Sequence, residues 1–239
     1  MSIEVSEEEG VRYLHFGTHW IQGAMRIARP WSLELDYTRD MMFPLLLQHP
    51  PAWPRSVLIV GLGAASLTRF LYRHFPRAAQ TVIELDPKVV NVAQQHFRLP
   101  QERARLHVEI GDGADYMMAS ERSFDWILVD GFDANGRAGA LDTLPFYCNC
   151  LARLAPGGIV TMNLLTYRHG LRGSLARMQA AFGEHMHALP ACDSGNVIAL
   201  ASGGAPLTGS QQALQRTAQK LRAQTRLNLA PTLSRMSRT

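Results

Sequence analysis

Two carboxylates three positions apart, Asp130 and Asp133, follow the apolar run Ile127-Leu128-Val129 in the segment Asp130-Gly131-Phe132-Asp133. Carboxylates in such a place can attract a cation, orient an amine and take up its proton. A plain loop with acidic ends has the same composition. Gly61-Leu62-Gly63 follows a second apolar run, Ser56 to Val60. Glycines there permit a sharp turn and let a ligand approach the backbone, or simply make a tight turn. Glu84 closes a third run, Thr81-Val82-Ile83-Glu84-Leu85. An acidic residue about twenty positions after a glycine turn can accept hydrogen bonds from two ribose hydroxyls; a solvated carboxylate at a strand end is the plain alternative. Gly111-Asp112-Gly113 follows a fourth run, Leu106 to Ile110. Asp112 can accept a hydrogen bond from an adenine amino group, cap the helix that begins at Ala114, or do both. Gly113 lets the backbone curve around a flat ring. Each signal is weak alone. Together they fall at the ends of four successive apolar runs, which points to a nucleoside site with two carboxylates beside its reacting end.

The elements that hold these residues alternate in type. Continuous apolar runs bounded by glycine read as strands buried on both faces, as in a parallel sheet. They are expected at 56–60, 81–85, 106–110, 125–129 and 159–163, with Asp125 as the residue that opens its strand. The fifth is entered through the turn Pro156-Gly157-Gly158, and Val197-Ile198-Ala199-Leu200 is expected as a late edge strand. Helices fall between them; Asp86-Pro87 supplies one with a cap and a first-turn proline. Strands alternating with helices specify a doubly wound α/β sheet, whose ligands lie beyond the carboxyl ends of the strands. Upstream, Ile3 to Phe16 reads as a hairpin about the turn Glu7-Glu8-Glu9-Gly10. His19 to Ile27 would add a third strand, residues 33 to 49 a helix bent at Pro44, and Pro50, Pro51 and Pro54 a stiff connection. Three regions follow: 1–50, a short β region with a linking helix; 51–205, the nucleoside-binding catalytic domain; and 206–239, a C-terminal helix and basic tail.

Of the 239 residues, 46% are hydrophobic and 18% charged, a composition for a folded core and not for a disordered chain. The formal net charge is +4. No dense Lys/Arg block with interleaved aromatics occurs, so nucleic acid is not expected as a partner. Basic residues gather late, at Arg216, Lys220, Arg222, Arg226, Arg235 and Arg238, as an exposed helix face and a loose tail. The three cysteines, Cys148, Cys150 and Cys192, lack zinc-ligand spacing, and the histidines share none, so no metal is expected. No apolar segment follows a basic start and no stretch of eighteen apolar residues exists, so neither a leader nor a membrane span is expected, and the location is expected to be cytoplasmic. Trp20 and Trp31 are expected at a contact between two copies, because a short hairpin buries little by itself; the chain is expected to be a homodimer.

The sequence resembles the spermidine synthase family, the polyamine aminopropyltransferases. The resemblance lies in Glu84-Leu85-Asp86-Pro87-Lys88-Val89-Val90, in Gly111-Asp112-Gly113 with Tyr116, in Val129-Asp130-Gly131-Phe132-Asp133 and in Leu154-Ala155-Pro156-Gly157-Gly158. It extends upstream to Gln22 and to Leu35-Asp36-Tyr37-Thr38-Arg39-Asp40-Met41-Met42, covering roughly residues 20 to 200. It implies a Rossmann-like fold of the S-adenosylmethionine-dependent methyltransferase kind. It implies decarboxylated S-adenosylmethionine as co-substrate, a small amine such as putrescine as acceptor, and no metal. Glu84 would then hold the ribose, Asp112 the adenine amino group, and Gln22 the amino-acid-derived end of the nucleoside. Asp130 would position and deprotonate the attacking amine, Asp133 would help hold its ammonium, and Tyr37 would line the amine tunnel. The chain departs from the family at Ala64, where an aspartate is usual, and at Ala134, where a proline is usual. The fold and the first three sites would equally serve a methyltransferase using ordinary S-adenosylmethionine, or a non-catalytic nucleoside-binding relative.

Overall fold

The computed structural model describes residues 2–17, 20–47, 49–50, 52–102, 104–133, 135–166, 170–204 and 206–237. His19, Pro51, Ala134 and Arg238, named above, lie outside them. Three antiparallel strands open the chain: β1 (Glu4–Glu8), β2 (Val11–His15) and β3 (Ile21–Arg26). The helix expected over 33–49 is instead a short helix α1 (Asp36–Asp40) and a 3-10 turn (Phe43–Leu46). Pro44 explains the break: it lacks the N–H that a continuing helix needs.

The main sheet contains β4 (Ser56–Val60), β5 (Ala79–Glu84), β6 (Leu106–Ile110), β7 (Phe124–Val129), β8 (Leu154–Leu165), β9 (Met186–Ala188) and β10 (Asn196–Ser202). Its order is β6-β5-β4-β7-β8-β10-β9. The β6-to-β8 portion is parallel, whereas β10 runs antiparallel to β8 and to β9. Strand order reverses between β4 and β7, so the crevice for a ligand opens at their carboxyl ends. Helices α2 (Ser66–His74), α3 (Pro87–His96), α4 (Gly113–Ala119), α5 (Leu144–Ala152) and α6 (Leu171–Phe182) link the strands. Val57, Leu58, Ile59 and Val60 are all buried, as a central parallel strand requires.

Two expectations for the late strands need correction. The segment Pro156-Gly157-Gly158 is not a turn outside the strand but part of the 12-residue β8. Gly157 takes a positive φ of 76°, and the β7–β8 register shifts between Phe124 and Trp126, so the strand absorbs an irregularity there. The late strand, in turn, is not at the edge: β10 is buried throughout, and β9 covers it.

The C-terminal helix α7 (Gln211–Thr225) buries Leu214, Ala218 and Leu221, the face the helical period requires. The tail beyond it is not loose. It forms α8 (Ala230–Met236), and Thr232 and Arg235 both reach the buried Asp40 carboxylate of α1. A charge buried at that site needs such partners. One apolar cluster runs from Leu14 and Met25 through the β4–α2 unit to Leu221 and Leu233, so early, central and late segments share a core.

Candidate active site

A cavity of about 900 Å³ lies over the carboxyl ends of β4, β5, β6 and β7. All nine residues singled out in the sequence line it: Gln22, Tyr37, Gly61, Gly63, Glu84, Asp112, Gly113, Asp130 and Asp133. Sheet topology explains the convergence, because four parallel strands deliver their ends to one side.

The glycine turn is shaped by its neighbours as much as by a ligand. Gly61 has φ 92°, and a Cβ on it would meet the Asp130 carbonyl oxygen at 2.2 Å. Only glycine allows β4 and β7 to approach so closely. Glu84 ends β5 almost fully buried, and both its oxygens hold backbone: Oε2 accepts from the Leu62 N–H at 2.8 Å, Oε1 from the Asp86 N–H at 3.0 Å. It is therefore not a freely solvated carboxylate. It locks the glycine turn from a place on the cavity lining and has lone pairs to spare. Asp112 does cap α4, with Oδ1 accepting from Ala114 N–H at 2.7 Å and Asp115 N–H at 3.2 Å. Its Oδ2 makes no bond within the helix cap.

Asp130 follows the end of β7 at the floor of the cavity. Oδ1 accepts from Asn163 Nδ2 at 2.8 Å, and Oδ2 from the Tyr37 hydroxyl at 3.3 Å. Burial pushes the Asp130 carboxyl above its usual range, while these two donors pull the other way. Burial and the adjacent Asp130 charge hold the Tyr37 phenol well above its ordinary value, so it remains a donor. Asp125, by contrast, accepts from the Arg55 and Ser56 N–H groups at the opposite end of the strand and is structural.

Asp133 sits apart from Asp130 in character. It is exposed, and its Oδ1 accepts from the N–H groups of Asn135 and Arg137 at 2.8 and 2.9 Å, fixing the turn of its own loop. That loop forms one wall of the cavity and ends in a 3-10 turn (Gly139–Asp142). Asp142 anchors it, accepting from Tyr147 Oη at 2.6 Å, Ser174 Oγ at 2.7 Å and Arg177 Nη2 at 2.5 Å.

The sequence reading missed the residues behind Asp130. Asn163 Oδ1 accepts from Asn196 Nδ2 at 2.8 Å, and Ser194 Oγ lies 2.9 Å from Asn196 Oδ1 and 3.1 Å from Asp36 Oδ1. Asn163, Ser194 and Asn196 all line the cavity. A signal existed: Asn163 is a polar residue inside the apolar run of β8, and such a residue when buried needs partners. Arg137, a cation on the rim, was also missed. Ala64 is buried and does not line the cavity; β3 crosses it so closely that a Cβ on Gly23 would come within 2.5 Å of the Ala64 Cβ. Among the described residues, no cluster of His, Cys, Asp and Glu could hold a metal ion.

Comparison with known proteins identifies relatives of the chain and of its fold. A polyamine aminopropyltransferase from Chromobacterium violaceum is 33% identical over 237 residues, covering 99% of this chain and 90% of that one. A probable spermidine synthase from Corynebacterium glutamicum shares the fold, with a TM-score of 0.77 at 21% identity over 92% of this chain and 83% of that one. Human methyltransferase-like protein 13, solved with SAH, superposes with a TM-score of 0.69 at 26% identity over 80% of this chain and 93% of its own. The fold is thus the mixed α/β Rossmann-like methyltransferase fold. The family model for the spermine/spermidine synthase domain matches residues 34–167, the stretch that carries Tyr37, the glycine turn and all the acidic residues of the cavity, and the chain belongs to that family.

Proposed function

We propose that the protein transfers an aminopropyl group from decarboxylated S-adenosylmethionine to a small amine such as putrescine. The observation that carries this reading is the Asp130 carboxylate, held between Tyr37 and Asn163 at the floor of a cavity whose other acidic groups suit a nucleoside and an amine. Family membership supports it, as does a relative of nearly the same length named for that activity. Among the described residues, the cavity lining carries Glu84, Asp86, Asp112, Asp130 and Asp133 against the single cation Arg137, which favours a cationic ligand.

Glu84 accepts hydrogen bonds from the ribose and Asp112 Oδ2 from the adenine amino group. Gln22 contacts the aminopropyl end of the nucleoside. The substrate amine lies along Tyr37 with Asp133 near its ammonium. An alkylammonium has a pKa of roughly 10, so it must shed a proton before it can attack. Asp130 receives that proton, its carboxyl already held above the usual range by burial. The nitrogen lone pair then forms a bond to the propyl carbon next to the sulfonium. The C–S bond breaks, its electron pair returns to sulfur, and neutral methylthioadenosine leaves.

The protein works as a homodimer in this reading, which rests on the shortness of the N-terminal sheet and on Trp20, 45% exposed just before β3; Trp31, the other residue expected at the contact, is half-buried. Light scattering at micromolar concentration tests it, and a monomer mass contradicts it. No helix among the described residues is long and apolar enough to cross a membrane, and a cytoplasmic location is proposed with the small-molecule chemistry. Calorimetry with the decarboxylated and ordinary nucleosides tests the main reading. Tighter binding of the decarboxylated form is expected. Preference for the ordinary form moves the reading to methyl transfer, and binding of neither leaves a family fold whose pocket serves another use.

A further inference from the structure

A second cavity of about 520 Å³ lies away from the nucleoside site, lined by Arg29, Gln219, Arg222, Ala223 and Arg226. Among the described residues, three of the five that line it are guanidinium-bearing and none is acidic. Two separate parts of the chain meet there. Arg29 comes from the segment after β3, the others from α7 and its C-terminal cap. Positions 219, 222, 223 and 226 share one face of the helix by their spacing of three and four.

A structural explanation accounts for part of this cluster. Cations near a helix C-terminus are favoured by the helix dipole, which covers Arg222 and Arg226. It does not cover Arg29, which adds a third positive charge from another element. Nor are the three guanidiniums neutralised locally: among the described residues none of them pairs with a carboxylate, whereas Arg12, Arg26, Arg105, Arg177 and Arg235 all do. Around Arg222 and Arg226 the sequence offers no such partner, because no Asp or Glu occurs after Asp193, and Glu34, the acid nearest Arg29 in sequence, pairs with Arg26. Like charges on one lining repel, so this arrangement is compensated when a multivalent anion enters.

The chemistry of the lining narrows the anion. Arginine presents a rigid fork of N–H donors that pairs with phosphate oxygens two at a time, and three forks suit a ligand with several phosphate charges. The Gln219 amide adds a neutral donor. Among the described residues the lining has no aromatic side chain, so it offers no stacking surface for the bases of a single-stranded nucleic acid. We propose that Arg29, Arg222 and Arg226 form a binding site for the polyphosphate group of a small molecule, separate from the nucleoside cavity.

The test is calorimetric titration of the full chain with inorganic tripolyphosphate at fixed ionic strength, repeated with uridine triphosphate. Saturable one-to-one binding is expected, weakened at least tenfold in Arg29→Gln/Arg222→Gln. The charge-matched control Arg216→Gln/Lys220→Gln, on α7 but outside the cavity, is expected to stay within twofold of the parent. All four side chains are exposed, so both variants are expected to keep the parent's melting temperature. Equal affinity for the two ligands assigns the site to inorganic polyphosphate, and tighter uridine triphosphate binding assigns it to a nucleotide. Unsaturable binding, an equal loss in both variants, or no loss in the first overturns the proposal. So does tighter binding of single-stranded RNA that is lost with Arg29 and Arg222.

Discussion

The Tyr37 hydroxyl donates to Asp130 Oδ2 at 3.3 Å across 93 positions of sequence, joining the short helix before the main sheet to the loop after β7. Asn163 holds the other oxygen of the same carboxylate. Asp130 is thus fixed from two sides while its own burial opposes its charge. Catalytic carboxylates often show this combination of fixed geometry and a shifted titration.

Replacing Tyr37 with Phe removes one of the two donors that lower the Asp130 titration. The acid limb of the kcat/KM profile with amine substrate is therefore expected to move to higher pH. A fall in kcat of about tenfold or more is expected, within the usual range for proton transfer. A pH–rate profile of the variant checks this; an unmoved limb contradicts a working Tyr37–Asp130 contact.

Asp130→Asn is expected to lower kcat by about 10²–10⁴-fold while raising stability at neutral pH. The sign follows from linkage. The folded carboxyl titrates above the unfolded one, so the favourable contribution of its protonated form is complete only below the ordinary Asp range of about 4. That contribution is lost as pH rises through the folded value. The melting-temperature advantage of the variant should accordingly grow from pH 3 upward and level off above the folded titration. An advantage that is constant with pH contradicts the burial argument.

Glu84→Gln is expected to weaken nucleoside binding by tenfold or more. The amide retains one acceptor where the carboxylate had two, so either Leu62 N–H or Asp86 N–H loses its bond. A cost of about 1–3 kcal/mol in stability accompanies it. Calorimetry with the nucleoside and thermal melts of the variant read the two effects separately.

Asp142→Ala leaves the Tyr147 hydroxyl and the Arg177 guanidinium without their shared acceptor and releases the wall loop that ends there. KM for both substrates is expected to rise, with the acid limb set by Asp130 unmoved. Steady-state kinetics across pH separate this from damage to Asp130 itself.

Much of this was legible because the parallel sheet imposes strong local patterns. Apolar runs closed by Gly61, Glu84, Asp112 and Asp130 mark strand ends, and strand ends converge on one cavity by topology. What escaped depended on contacts distant in sequence. Nothing local ties Asn163 to Asn196, or Thr232 and Arg235 to Asp40, nearly two hundred positions away. The helix expected over 33–49 failed because its apolar spacing reflected a segment wedged into the core, where Phe43 and Leu46 are buried from a 3-10 turn. The capping role of Asp112 was open in the sequence; the structure supplies the cap and leaves the second oxygen free of it.

The most direct measurement is the product formed when the purified protein is incubated with putrescine and decarboxylated or ordinary S-adenosylmethionine, resolved by mass spectrometry. Aminopropyl transfer requires methylthioadenosine and spermidine in equal amounts from the decarboxylated nucleoside alone, with formation abolished in Asp130→Asn. S-adenosylhomocysteine from the ordinary nucleoside, with no methylthioadenosine from the decarboxylated one, contradicts it.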